Sequence, residues 1–279
     1  MNLQSPFCLV IGTPISHSLS PLVHNTAADY HHLDFRYYAL NVDQDDFREL
    51  PNLFDHPHFI GANVTIPYKG KVRQFLDHED ETAHTIGAVN TIIRKNGKLE
   101  GHNTDAYGFT KALEPYRSRL SGKKAIVFGS GGASKAIVFG LAKLGMPEIA
   151  IISRNPEKAI TELEAVPGNL SFYSYADLLQ ISTDAELFVN TTPLGMEPDI
   201  TSTPVPQEYE HILKKKICYD IVYKPLHTTF LKQAEKQDAI VIQGLDMFIH
   251  QGAKAFELWT GKQLPYGIIK KKLMASQNL

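Results

Sequence analysis

Cysteine is almost missing from this chain, with two in 279 residues, Cys8 and Cys218. Both lie inside apolar runs, FCLVIG and KICYDIV, so they read as reduced core thiols, and a disulfide framework is excluded. Metal-ligand spacing is missing too. The histidine-bearing stretches HHLD, DHPH and HEDETAH never pair with cysteines at zinc-site intervals, and the last lacks the second histidine of H-E-x-x-H. No metal is expected. No apolar run approaches the roughly 18 residues a membrane span requires. The start, MNLQSPFCLVIG, has neither a basic leader nor a long apolar core, so no signal peptide and a cytoplasmic location are expected. There is no excess charge of either sign. Net charge is −2 and the pI about 6.6, which leaves no electrostatic footprint for nucleic acid. The basic triplets Lys214-Lys215-Lys216 and Lys270-Lys271-Lys272 read as solvated faces. Internal repeats and low-complexity segments are also absent.

What remains is the balance of a globular protein, with 43% hydrophobic and 21% charged residues. Strand-like runs alternate with helical patterns, which predicts an α/β fold of mainly parallel sheet in two domains. In the first part FCLVIG, FRYYALNV and FIGANVTI read as strands. SPLVHNTAADYHH reads as a helix with Ser20 as N-cap and Pro21 in its first turn. YKGKVRQFLD reads as a helix, and AVNTIIRKNGKLEGHN as a hairpin turning at Asn96-Gly97. Residues 106–117 read as helical. In the second part AIVF, EIAIISRN, ELFVNTTP, KICYDIVYKP and AIVIQG read as strands. ASKAIVFGLAKLG, YADLLQ and FLKQAEKQD read as helices. After Gly244 a long helix is expected, with Leu245, Phe248, Ile249, Gly252, Phe256 and Trp259 at helical spacing and Gly261 stopping it. The second domain looks complete before this helix, so the helix is expected to return to the first. The expected division is 1–105, 106–244 and 245–279, with a cleft between the two domains for a ligand.

The stretch AIVFGSGGAS runs from a strand into Gly129-Ser130-Gly131-Gly132-Ala133-Ser134 and then into a helix. This is the context a dinucleotide-binding turn needs, with Ser134 in place of the last glycine of G-x-G-x-x-G. NAD enzymes place an acid at the tip of the next strand. Here that strand ends Ser153-Arg154-Asn155, with Lys158 one turn later, and a guanidinium suits a 2′-phosphate that a carboxylate would repel. The reading is NADP(H). A glycine-rich turn without a ligand, with Arg154 a plain surface arginine, is the alternative.

Polar groups of the first part gather where strands end: His17-Ser18-Leu19-Ser20-Pro21, Asn63-Val64-Thr65-Ile66-Pro67-Tyr68-Lys69, Gly87-Ala88-Val89-Asn90-Thr91 and Gly101-His102-Asn103-Thr104-Asp105. Each has a plain structural reading. Ser20 can be a cap, Asp105 a first-turn acid and Asn90 a turn residue. Lys69 resists one, because a lysine in a helix's first turn opposes the helix dipole. A lysine that releases and recovers a proton suits acid–base chemistry.

Together these segments resemble the shikimate dehydrogenases over nearly the whole chain. The order HSxSP, NVTxPxK, GAVNT, GxNTD and GxGGAS with a following arginine is theirs. So are Asn190-Thr191-Thr192-Pro193-Leu194-Gly195-Met196, Asp220-Ile221-Val222-Tyr223 and Gly244-Leu245 leading to Gln251-Gly252-Ala253. The resemblance implies an N-terminal substrate domain, a Rossmann domain for NADP and a C-terminal helix packing back on the first domain. It implies reversible, NADPH-dependent reduction of 3-dehydroshikimate to shikimate, a step toward aromatic amino acids. By position it implies Lys69 and Asp105 as the catalytic pair. Ser18 and Ser20 would bind the substrate carboxylate through their hydroxyls, with Tyr223 nearby, and Thr65, Asn90 and Gln251 the ring hydroxyls or the surroundings of the reacting oxygen. The cofactor would be held by Gly129 through Ser134, by Ser153, Arg154, Asn155 and Lys158, and by Thr191 and Gly244. A small-molecule substrate is implied, with no nucleic acid or membrane partner, and the protein is expected as a monomer or homodimer. Three positions depart from the pattern: Thr13 stands where Asn or Asp is common, Asn155 where Thr is frequent, and Asp246 where a small residue is usual. The rival readings are an NAD-using quinate/shikimate dehydrogenase, a non-catalytic ligand sensor, and a dehydrogenase of the amino-acid type. The retained Lys69 and Asp105 argue against the sensor, and the serine pair against the amino-acid type.

Overall fold

The computed structural model describes residues 4–276. The chain divides into two compact units, Met1–Thr104 with Gln251–Leu279, and Asp105–His250.

The first unit is built on β1 (Phe7–Gly12), α1 (Ser20–Tyr30), β2 (Arg36–Asn41), α2 (Leu50–Phe54), β3 (Phe59–Val64), β4 (His78–Glu79), α3 (Glu81–Ile86), β5 (Thr91–Lys95) and β6 (Lys98–His102). The sheet order is β2-β1-β3-β5-β6-β4. β1 is parallel to β2 and β3, while β5 runs antiparallel to β3 and β6. Every residue of β1 is buried, as expected of a central strand covered on both faces. Phe7, Leu9 and Ile11 share one face with Phe47, Phe54, Tyr68 and Val72, and the Tyr68 ring stacks on Phe47 at 4.6 Å. The β5–β6 hairpin turns at Asn96 and Gly97, with φ of 52° and 77°, the positive angles a two-residue hairpin turn demands.

The second unit holds α4 (Asp105–Leu113), α5 (Arg117–Leu120), β7 (Lys124–Phe128), α6 (Gly132–Lys143), β8 (Ile149–Ile152), α7 (Pro156–Leu163), β9 (Leu170–Tyr173), α8 (Leu178–Ile181), β10 (Ala185–Asn190), β11 (Ile217–Asp220), α9 (Thr229–Lys236) and β12 (Ile240–Ile242). All strand pairs are parallel, in the order β12-β11-β10-β7-β8-β9. Counted within the unit this is the doubly wound Rossmann order, with the chain reversing direction between β7 and β10.

The chain ends in α10 (Gly244–Thr260) and α11 (Tyr266–Ser276). The part of α10 from Gln251 onward, with α11, groups with the first unit. There Trp259 Nε1 donates to the Ile92 carbonyl at 2.9 Å, and Lys272 Nζ to Thr26 Oγ1 at 2.9 Å. The Trp259 seat requires Gly61, since a Cβ there would stand 2.4 Å from Nε1.

Three local expectations are corrected. Ser20 is not the cap of α1. Leu19 holds that place without a side-chain bond, and the backbone N of Ser20 instead donates to Ser18 Oγ at 3.2 Å. YKGKVRQFLD is not an α-helix, because only Lys71–Phe75 winds, as a 3₁₀ turn. The Lys69 carbonyl accepts from Val89 N at 2.8 Å, which takes it out of helical bonding. The strand expected over KICYDIVYKP stops at Asp220, whose carboxylate turns back onto Val222 N at 3.0 Å. β9 and α7 were not foreseen: LSFY is short and half-buried, and α7 follows a sharp Asn155-Pro156 start.

Candidate functional site

In the first unit the polar segments meet at one edge of the sheet. β1 and β3 end there, and antiparallel pairing brings the start of β5 and the end of β6 to the same edge, with Asn63 opposite Thr91 and Thr91 opposite His102. Ser18 and Ser20 lie between β1 and α1. Thr65 follows β3, its N donating to Ile11 O at 2.9 Å. Lys69 is half-buried in the turn before the 3₁₀ segment, fixed there by its carbonyl's bond to Val89. The dipole argument for this lysine therefore does not apply, and the cross-loop bond sets its backbone against Val89, the residue before Asn90. Asn90 is 3% exposed. Its Oδ1 accepts from Thr104 N at 2.7 Å and Thr91 Oγ1 at 3.0 Å, and its Nδ2 donates to Thr104 Oγ1 at 3.0 Å. Thr104 Oγ1 in turn reaches Gln251 Oε1 at 3.5 Å. Ser18 and Ser20, Thr65 and Lys69, and Asn90 and Gln251 are thus all placed in this unit.

Asp105 and Tyr223 belong to the second unit. Asp105 opens α4 in its first turn, a favourable place for an acid at a helix N-terminus. Tyr223 stacks on Phe248 at 4.8 Å, and burial raises its phenol above the ordinary value.

The glycine turn lies between β7 and α6. Gly129 has φ +98°, and a Cβ there would stand 2.9 Å from Thr192 Cγ2 and 3.0 Å from Thr191 Oγ1, so glycine is obligatory on two counts. Gly131 and Gly132 differ, because a Cβ on either would meet nothing within 4 Å. The protein's own packing does not require glycine at these two positions. The open space above their backbone fits a close-approaching pyrophosphate at the start of a twelve-residue helix. Ser134, fully buried, replaces the third glycine and donates its hydroxyl to Gly129 O at 2.9 Å. Thr191 Oγ1 bonds Phe128 O at 2.6 Å. Gly244 is pressed on the loop after β11, where a Cβ would lie 2.4 Å from Ile221 O.

At the tip of β8, Ser153 Oγ is buried without a partner, a hydroxyl left for something the chain itself does not supply. Arg154 and Lys158 are exposed beside it. Asn155 is spent on capping α7, accepting from Lys158 N at 3.0 Å. The open glycine backbone, the unpartnered hydroxyl and the adjacent guanidinium fit a dinucleotide with a 2′-phosphate.

Sequence reading missed three residues here. Glu162 accepts from Ser130 Oγ at 2.8 Å and pairs with Lys158 Nζ at 3.5 Å; its signal was the four-residue spacing from Lys158. Asp220, quoted but given no role, is fully buried. It accepts from Thr228 Oγ1 at 2.6 Å and Asn190 Nδ2 at 3.1 Å. Burial raises its carboxyl from 3.8 to about 6 against the pull of these donors. Tyr37 is the third.

The family profile of the shikimate dehydrogenase substrate binding domain matches residues 10–92, and that of the shikimate 5′-dehydrogenase C-terminal domain matches residues 244–274. The shikimate dehydrogenase (NADP(+)) of Bacillus cereus strain G9842 is 39% identical over 267 residues, 94% of this chain and 95% of its own length. This chain belongs to the shikimate dehydrogenase family. The fold agrees. Shikimate 5-dehydrogenase of Listeria monocytogenes, solved with shikimate and NAD, is 34% identical with a TM-score of 0.88, covering 96% of both chains. The Thermus thermophilus enzyme, solved with NADP(H) and shikimate, is 33% identical with a TM-score of 0.84, covering 97% of this chain and 99% of its own. The two α/β units are thus the substrate domain and the Rossmann domain of that family. Among the described residues no helix is long and apolar enough to cross a membrane.

Proposed function

We propose that this shikimate dehydrogenase family member catalyses the reversible, NADPH-dependent reduction of 3-dehydroshikimate to shikimate. The observation that carries the reading is the polar edge of the first unit. Ser18, Ser20, Thr65, Lys69, Asn90 and Gln251 offer hydroxyl, amide and ammonium groups at one end of a sheet, as a polyhydroxylated acid requires. The relatives' names and the bound shikimate of their structures support it.

In this reading the hydroxyls of Ser18, Ser20 and Tyr223 bind the substrate carboxylate, and Thr65, Asn90 and Gln251 hold ring hydroxyls. Bound NADPH supplies the hydride. The Lys69 ammonium stabilises the charge that develops on the carbonyl oxygen and gives it the proton, with Asp105 the second member of the catalytic pair. In the second unit, Gly129, Ser130, Gly131, Gly132 and Ala133 hold the pyrophosphate, and buried Ser134 braces the turn through its bond to Gly129 O. Ser153, Arg154 and Lys158 take the 2′-phosphate, with Asn155 shaping that end as a cap. Thr191 and Gly244 would complete the cofactor site. The protein works in the cytoplasm as a monomer or homodimer.

A second reading, an NAD-using quinate/shikimate dehydrogenase, is favoured by Glu162, a carboxylate bonded to the glycine turn and partly neutralising Lys158. An assay pairing shikimate or quinate with NADP or NAD decides between them. Activity confined to shikimate with NADP is expected, comparable rates with quinate and NAD support the second reading, and binding of shikimate without turnover sinks both.

A further inference from the structure

Tyr37, on β2, is 1% exposed, yet its hydroxyl is not a lone buried group. It donates to Asn63 Oδ1 at 2.6 Å, which commits the phenol's single proton to that side chain.

Asn63 can be accounted for completely. Its Nδ2 donates to Asn90 O at 3.2 Å and to Thr91 Oγ1 at 3.0 Å. Both amide hydrogens are then used, so its Oδ1 faces Tyr37. The carbonyl of Asn90 can only accept, which fixes the amide's orientation without choice. From Thr91 the direction continues, Oγ1 to Asn90 Oδ1 at 3.0 Å and Asn90 Nδ2 to Thr104 Oγ1 at 3.0 Å. One ladder with one proton direction therefore runs from Tyr37 through Asn63 and Thr91 to Asn90 and Thr104.

The Tyr37 ring is held for this task on every side. His24 stacks on it at 4.4 Å and Trp259 lies at 5.8 Å. Asn25 of α1 clamps its backbone with two bonds of 2.9 Å, one to N and one from Nδ2 to O. The helix that begins at Ser20 is thereby pinned to β2 at Tyr37 itself.

We propose that Tyr37 is a positioning residue for the substrate site, setting Asn90 through Asn63 and Thr91. The inference rests on the functional reading above, which gives Asn90 to the substrate. Tyr37 touches no reacting atom and acts only by fixing where that binding group stands and which way it donates.

The test is Tyr37→Phe in the full chain, which keeps the ring and its stacking. The expected result is a KM for shikimate raised about tenfold, roughly the worth of one buried hydrogen bond, with kcat and the KM for NADP within about twofold. In a Thr91→Val background, which cuts the ladder, Tyr37→Phe should change KM less than about twofold. A lowered Tm with unchanged or lower KM, or full additivity in that background, leaves Tyr37 a satisfied core tyrosine and overturns the proposal. If Tyr37→Phe folds poorly, Thr91→Val alone breaks the ladder one rung on and must show the same split between KM and kcat. Wild-type protein silent toward shikimate would instead sink the functional reading, a result separable from an active wild type with an unshifted Tyr37→Phe.

Discussion

Asn190 Nδ2 donates to Asp220 Oδ1 at 3.1 Å, tying the carboxyl ends of β10 and β11 beneath the glycine turn. Asn190 then uses its Oδ1 to hold Thr192, accepting from N at 3.0 Å and Oγ1 at 2.6 Å. Thr192 Cγ2 is one of the two groups that forbid a Cβ at Gly129. A buried carboxylate thus sets the wall of the cofactor turn.

That carboxylate makes stability depend on pH. Its native value is raised from 3.8 to about 6 by burial, so between these values the folded chain holds a proton that the unfolded chain has lost. Stability from this group is fully present below about pH 4 and falls as pH rises through 6, by on the order of 3 kcal/mol. Urea unfolding of Asp220→Asn between pH 4 and 8 should lack this decline, whatever its absolute stability. A difference from wild type that stays constant across the range would rule the titration out.

His24 works in the opposite sense. Burial lowers it from 6.5 to about 3, so the unfolded chain takes up a proton that the folded chain refuses. Its contribution is complete above about pH 6.5 and is lost as pH falls toward 3, by up to on the order of 5 kcal/mol. His24→Phe keeps an aromatic ring against Tyr37 and should flatten the acid limb of the stability curve, as followed by thermal unfolding at successive pH values.

Gly131→Ala separates ligand from fold. The residue has φ −70° and room for a Cβ, so Tm should stay within about 2 °C of wild type. The added methyl fills the space a pyrophosphate would approach, and NADPH affinity measured by fluorescence titration should fall at least about tenfold. Unchanged affinity would move the cofactor off this turn.

Arg154→Gln tests the choice of cofactor. Loss of a charged hydrogen bond of about 1.5–3 kcal/mol should raise the KM for NADP roughly 10- to 100-fold. Kinetics with NAD should change little. Equal losses with both cofactors would remove Arg154 as the selector.

Lys69→Ala should collapse turnover by a factor of about 10² or more while leaving shikimate binding by calorimetry nearly intact. Normal turnover would take Lys69 out of the chemistry.

The elements legible in the sequence were those whose reasons are local. β1, β3 and β7 are apolar runs of the right length, the Asn96-Gly97 turn needs positive φ at both residues, and α10 repeats its apolar residues at helical spacing until Gly261. Gly129 was legible because a strand before it and a helix after it are read from neighbours in the chain. Other features depended on partners far away. Lys69 was expected in a helix because nothing nearby shows that its carbonyl bonds Val89. β9, an edge strand of four residues paired with β8, is too short to announce itself.

Periodicity and turn chemistry determined by themselves that this chain makes two α/β sheets, with a glycine turn at the start of the second. The tertiary structure decided which polar groups share an edge, that Tyr37 and Asp220 stand beneath the two candidate sites, and that Trp259 returns to Ile92. Hydrogen bonds across 26, 30 or 167 positions leave no periodic trace in sequence, since each depends on strand order and register, which only the folded sheet fixes.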